Sequence, residues 1–185
     1  MPASPALVRA LTEAQRLGFL GERDLDEVIA HARGFVTALD DLTGIARGRI
    51  VDLGAGGGVP GLVIADERPA WALTLVDRRA KRTDFLQRMV TRLGWTDRVE
   101  VRCADVDDLI RESPHHFVAA VARGFGPPER TLTVAEQLTV PRGRIVVSEP
   151  PGGDRWDPAL LDRLGLQYRD LSLDAGRFAV FERFT

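Results

Sequence analysis

The 185-residue chain has a single cysteine, Cys103, and a single lysine, Lys81, among 25 basic residues. It also lacks any apolar run near the length of about eighteen residues that spans a bilayer. One cysteine excludes an internal disulfide and the thiolate cluster of a structural zinc site. Cys103 falls in an expected strand, where a small core residue is the expected role. The N-terminus has no basic-then-apolar signal layout, so a cytoplasmic location without a membrane partner is expected. A net charge of -2 gives no overall basic field that would advertise nucleic acid, although a local basic patch remains compatible with it. Repeats, low-complexity tracts and a Ser-His-Asp arrangement are missing too. His115-His116 has no acidic or thiolate partner at metal spacing, so no metal is expected. The length fits one domain, whereas a dehydrogenase would need a substrate domain as well.

What is present is concentrated in Asp52-Leu53-Gly54-Ala55-Gly56-Gly57-Gly58-Val59-Pro60-Gly61, behind the apolar stub Ile50-Val51. A strand ending in a carboxylate and a turn nearly free of side chains lets a flat ligand lie against bare backbone. Val59 onward reads as a helix start with Pro60 in its first turn. Amides at such a start bind anionic groups. Two cofactor readings overlap here. Gly56-x-Gly58-x-x-Gly61, with Asp77 downstream, satisfies a dinucleotide fingerprint. Asp52-x-Gly54-x-Gly56 is the loop of class I S-adenosylmethionine (SAM) methyltransferases, and it gives Asp52 a task that the dinucleotide reading leaves undone.

Leu25, Val28, Ile29, Ala32, Phe35, Val36 and Leu39 mark an amphipathic helix, preceded by a weaker one around Leu7, Leu11, Ala14 and Leu17. Together they predict a short N-terminal helical cap over residues 1–48, part of the same domain as a SAM-binding unit over 49–185. Strands are expected at Ile50–Leu53, Ala72–Asp77, Val99–Cys103, Phe117–Ala122 and Arg144–Ser148, with helices between them. One helix carries Arg82, Phe85, Leu86, Met89, Val90 and Leu93, and Gly94 caps it. Pro150-Pro151-Gly152-Gly153 reads as a loop, followed by a helix near Pro158–Leu164. Leu166–Leu173 and Arg177–Phe184 then form a hairpin about Asp174-Ala175-Gly176. The alternation predicts an α/β fold with a parallel sheet, and five βα units closed by a hairpin resemble the Rossmann-like class I methyltransferase layout. Its mostly parallel seven-stranded sheet would end in a C-terminal antiparallel hairpin, with the strand Phe178-Ala179-Val180-Phe181 inserted and apolar on both faces.

Three segments fall into a known order: the glycine loop; Leu73-Thr74-Leu75-Val76-Asp77 followed by Lys81-Arg82-x-x-Phe85-Leu86; and Ala122-Arg123-Gly124-Phe125. Over roughly residues 27 to 150 they closely resemble the glucose-inhibited division protein B (GidB) family, SAM-dependent guanine-N7 methyltransferases of small-subunit ribosomal RNA. The resemblance implies SAM as cofactor and RNA of the small ribosomal subunit as partner. Departures lie on the substrate side. Ala30 precedes His31 where the family has arginine, the longer N-terminal helices with Trp-Asn and Asn-Leu-Thr are missing, and Val147-Ser148-Glu149-Pro150 stands where the family has lysine followed by glycine. Two other readings therefore stay open: a SAM-dependent methyltransferase of a small molecule, and a non-catalytic SAM- or RNA-binding paralogue.

Cofactor contacts are expected from Asp52, Gly54, Ala55, Gly56, Gly58, Asp77, Arg78, Asp105, Val106 and Arg123. Asp52 would take the methionine amino group, directly or through water, or else cap the turn. The loop amides would face the carboxylate. Asp77 would accept both ribose hydroxyls, or else pair with Arg78 or Arg79. Asp105-Val106 would meet the adenine, although Asp105, Asp107 and Asp108 also suit a helix N-terminus. Arg123, after the fourth strand, is the candidate catalytic residue by resemblance, with a plain surface arginine as the alternative. Phe125 would stack on a base or pack under the loop. His31 reads as a partly buried structural histidine. A ring nitrogen such as guanine N7 needs no general base, in keeping with the absence of an evident one.

Overall fold

The computed structural model describes residues 2–42, 48–150 and 155–184. Most of the expected loop at Pro150–Gly153 lies outside them. Two helices, α1 (Pro5–Arg16) and α2 (Leu25–Leu39), precede β1 (Arg49–Leu53), α3 (Gly61–Glu67), β2 (Ala72–Asp77) and α4 (Ala80–Arg92). Then follow β3 (Val99–Cys103), α5 (Val106–Glu112), β4 (Phe117–Ala122), α6 (Pro128–Leu138) and β5 (Thr139–Glu149). The series ends with α7 (Pro158–Leu164), β6 (Leu166–Leu173) and β7 (Gly176–Arg183).

The seven strands form one sheet in the order β3-β2-β1-β4-β5-β7-β6. β1 to β5 pair in parallel, and β7 inserts antiparallel between β5 and β6. Phe178, Ala179, Val180 and Phe181 are all fully buried, as a strand covered on both faces requires. The order turns back between β1 and β4, so their outgoing loops diverge and leave a crevice at the carboxyl edge of the sheet.

Side chains alternate across the sheet into two cores. Ile50, Leu73, Leu75, Val121 and Val180 point to the layer made with α1 to α4, while Val51, Leu53, Val76, Ala120 and Ile145 point to that made with α5 to α7. α2 lies directly on the sheet. Its Gly34 admits the Phe178 ring so closely that a Cβ there would stand 2.1 Å from Cζ. Phe35 meets the same ring edge-on, with centroids 5.0 Å apart.

Three expectations change. Cys103 is exposed, because it ends β3, the edge strand of the sheet, which pairs with β2 on one side only among the described residues. β5 starts at Thr139, where Thr139 already pairs with Phe117 across an irregularity in register. α3 starts at Gly61 with Pro60 as its N-cap residue, two positions after the expected Val59.

Candidate functional site

Glycine conformation makes the loop after β1. Gly54, Gly56 and Gly58 take φ values of +70°, +55° and +94°, a region that disfavours side chains. They do different jobs. At Gly54 a Cβ would stand 3.1 Å from Phe125 Cδ2 across the crevice, so its bare backbone keeps the crevice open. A Cβ at Gly58 would meet Leu62 Cδ1 at 2.4 Å, so that glycine serves the packing of α3. A Cβ at Gly56 would stand 3.5 Å from Arg82 Nη1 and 3.6 Å from the Gly54 carbonyl oxygen. Ala55 is buried, its amide bonded to Val76 O.

A cavity of about 320 Å³ opens at the ends of β1 to β4. Gly54, Val76, Asp77, Arg78, Arg79 and Arg82 form one side of its wall. Ala104, Asp105, Val106, Gly124, Phe125, Gly126, Pro127 and Arg130 complete it. Five of the expected cofactor residues therefore meet there: Gly54, Asp77, Arg78, Asp105 and Val106. Ala55, Gly56, Gly58, Asp52 and Arg123 stand outside its wall. Pattern reading passed over Ala104, Pro127 and Arg130. Their signal was positional, since each directly follows a strand end or opens a helix at the carboxyl edge.

Asp77 is fixed by its own surroundings. The amides of Gly56 and Arg79 donate to it at 3.1 and 2.9 Å, and Arg82 donates from 3.4 Å. Its ionic partner is thus Arg82, in place of Arg78 or Arg79. Asp105 caps α5, accepting from the Asp107 amide at 3.0 Å, and borders the cavity as well. Its two readings coexist.

Asp52 takes the second of its two expected roles and caps the turn. Only 1% exposed, it uses Oδ2 to accept the Gly61 amide at 2.9 Å, while Oδ1 is buried without a partner. In this conformation Asp52 lies beneath the loop and off the cavity wall. The first amide of α3 is satisfied internally, so this helix start offers no anion site there. Burial pushes the Asp52 carboxyl up to about 7, opposed by the Gly61 hydrogen bond and the Arg123 charge.

Arg123 stands at the end of β4, half-buried, with NH1 unpartnered and shielded from solvent. Burial and then the Arg23 charge lower its pKa, while Asp52 raises it. His31 is partly buried against Phe178, with ring centroids 5.0 Å apart. Burial, then Arg123 and Arg23, bring its pKa down to about 4, so it is neutral at physiological pH. The Arg123 charge thus acts on both Asp52 and His31, and none of the three lines the cavity. His115 is remote from both, at the opposite edge of the sheet, where its Nδ1 lies 2.6 Å from Arg183 NH1. Glu149, at the end of β5, is buried and bonded to Arg155 and Trp156 Nε1.

The GidB family, described as rRNA small subunit methyltransferase G, matches residues 6–149. A ribosomal RNA small subunit methyltransferase G from Rhizorhabdus wittichii is 39% identical over 108 residues, covering 55% of this chain and 48% of that protein. One from Burkholderia ambifaria is 32% identical over 163 residues, covering 76% of this chain and 69% of its own length. For several such relatives the chain spans about half their length or less. An O-methyltransferase family protein from Burkholderia thailandensis superposes with a TM-score of 0.66 at 14% identity, covering 98% of this chain and 68% of that one. That likeness concerns the fold, a class I methyltransferase sheet. With the match running from α1 to the end of β5, the chain belongs to the GidB family, rRNA small subunit methyltransferase G.

Proposed function

We propose that the chain is a SAM-dependent methyltransferase acting on a guanine ring nitrogen, N7, of small-subunit ribosomal RNA. The observation that carries this reading is Asp77, a carboxylate at the end of β2 that opens on the crevice beside the bare backbone of Gly54. That set of acceptors suits a nucleoside. Asp77 accepts the ribose hydroxyls, Asp105 meets the adenine amino group, Val106 packs on the ring, and Arg78 borders the same end. The names of the family's curated members support ribosomal RNA as acceptor.

Asp52 acts from beneath the loop. By holding the Gly61 amide it fixes the course of Gly54 to Gly58, and with it the surface that the methionine end meets. Arg123, at the end of the neighbouring strand, orients the reacting groups from the far side. When bound, SAM supplies an electrophilic methyl that the N7 lone pair takes as the carbon–sulfur bond breaks, and no proton leaves that nitrogen. The chain's task is then alignment, which supplies roughly 7–11 kcal/mol when geometry is well held.

Calorimetry with SAM, followed by transfer of labelled methyl to small ribosomal subunits, tests the proposal. Saturable SAM binding and label in the small-subunit RNA are expected. Absence of SAM binding overturns the whole reading, and label confined to small metabolites overturns its acceptor.

A further inference from the structure

The nucleoside end of a methyl donor is neutral, yet four arginines, Arg78, Arg79, Arg82 and Arg130, ring the cavity that suits it. Two are neutralised: Arg82 lies 3.4 Å from Asp77 and Arg130 2.6 Å from Asp107. Arg78 and Arg79 are exposed, and no side-chain hydrogen bond or ion pair engages either. The imbalance continues along α4. Lys81 and Arg88, seven positions apart and so on one helical face, are likewise exposed and unpaired. Between residues 78 and 92 there are six basic side chains and a single acid, Asp84, in a chain whose net charge is -2. Asp84 lies one turn from both Lys81 and Arg88 without pairing with either.

This placement runs against local stability. α4 has no acid in its first turn and no side-chain cap, so Arg79 and Lys81 add positive charge to the positive end of the helix dipole. Other surface cations are matched, as in Arg33 with Glu67, Arg68 with Asp40 and Arg163 with Glu129, and those that are not, such as Arg9, Arg16, Arg142 and Arg169, lie apart from the cavity wall. An unmatched row leading from the cavity mouth along one helix fits a flexible strand of evenly spaced anions. A compact anion would engage one end only.

We propose that Arg79, Lys81 and Arg88 form a track along α4 that holds the sugar–phosphate backbone of the RNA acceptor beside the cavity. The inference rests on the acceptor class given under Proposed function. Phosphate contacts of this kind position a strand without reading its sequence. The track therefore sets where the RNA lies, and the crevice sets which atom reacts.

Fluorescence anisotropy of a short labelled single-stranded RNA, measured across a salt series, tests it with the full chain and the double variant Lys81→Gln/Arg88→Gln. Each lost phosphate contact lowers the slope of log affinity against log salt by about 0.7 for a single strand. The variant is expected to lose about 1.4 in slope and roughly tenfold in low-salt affinity. Its melting temperature and its SAM affinity by calorimetry should match the unaltered chain, because both side chains are exposed and off the cavity wall. An unchanged slope and affinity overturn the track. Inorganic phosphate competing as well as RNA at equal phosphate concentration also overturns it, in favour of a small-anion site. Failure of the unaltered chain to bind SAM would instead count against the methyltransferase reading, so the two failures are told apart.

Discussion

Asp52 near the end of β1 and Asp77 at the end of β2 stand on neighbouring parallel strands, yet one carboxylate is sealed beneath α3 while the other opens on the cavity. Asp77 engages three donors and still borders open space. Asp52 engages one and leaves an oxygen without a partner. The same residue type at similar strand positions therefore does two kinds of work. A buried carboxylate held by two amides and an arginine at the wall of a cavity is ready to accept ligand hydroxyls, whereas one roofed by a helix mainly shapes the loop above it.

The largest test of this contrast is Asp77→Ala. Two charge-assisted hydrogen bonds to ribose, each about 1.5–3 kcal/mol, are lost, so SAM affinity should fall at least roughly a hundredfold by calorimetry. A change of less than about tenfold would remove Asp77 from the ligand-holding class. Next comes Asp52→Asn, which keeps an acceptor for Gly61 and removes the buried charge. The folded-state pKa of about 7 lies above the ordinary 3.8, so protonation stabilises the fold at low pH. That contribution is complete below about pH 4 and disappears as pH rises through about 7. The asparagine variant should therefore match the parent at pH 4 and exceed it at pH 8, by on the order of 3 kcal/mol in denaturant unfolding. A constant difference across that window would show that Asp52 does not titrate there.

The smallest effects sharpen the contrast within the loop itself. Gly58→Ala forces a methyl to 2.4 Å from Leu62 Cδ1 and should lower stability by about 2 kcal/mol, read from melting. Gly54→Ala meets only the Phe125 ring at 3.1 Å. Its loss of stability should be near the 1 kcal/mol of left-handed backbone strain, roughly, and its main effect should fall on SAM affinity. Equal stability losses with no effect on affinity would erase the distinction between the packing and ligand-facing glycines.

Much of this was legible in the chain. β2, β3, β4, α7 and β6 occupy the expected residues, because short apolar runs such as Leu73-Thr74-Leu75-Val76 and the helix from Pro158 to Leu164 end in clear breaks. The inserted β7 was readable from Phe178 to Phe181, since no one-sided strand carries four successive apolar residues. Less legible was anything decided by what covers a side chain. Cys103 looks like core until β3 proves to be an edge, and Asp52 looks like a ligand group until the Gly61 amide closes over it. Thr139 joins β5 only because Phe117 lies opposite, a pairing that no local pattern encodes. Of the site, the cavity's acids and Gly54 were visible from spacing, while Arg130 depends on how α6 is set beside α5.

The insertion of β7 also has a consequence for the order in which the chain folds. Gly34 and Phe35 of α2 find their partner in Phe178, more than a hundred residues downstream. Contacts of such sequence separation form late, since a long loop must close before burial compensates for its entropy. Until the hairpin arrives, α2 has no ring to receive its Gly34 notch. This N-terminal helix should therefore gain its slowest-exchanging amides only as the last strand docks, which makes α2 a reporter for completion of the sheet.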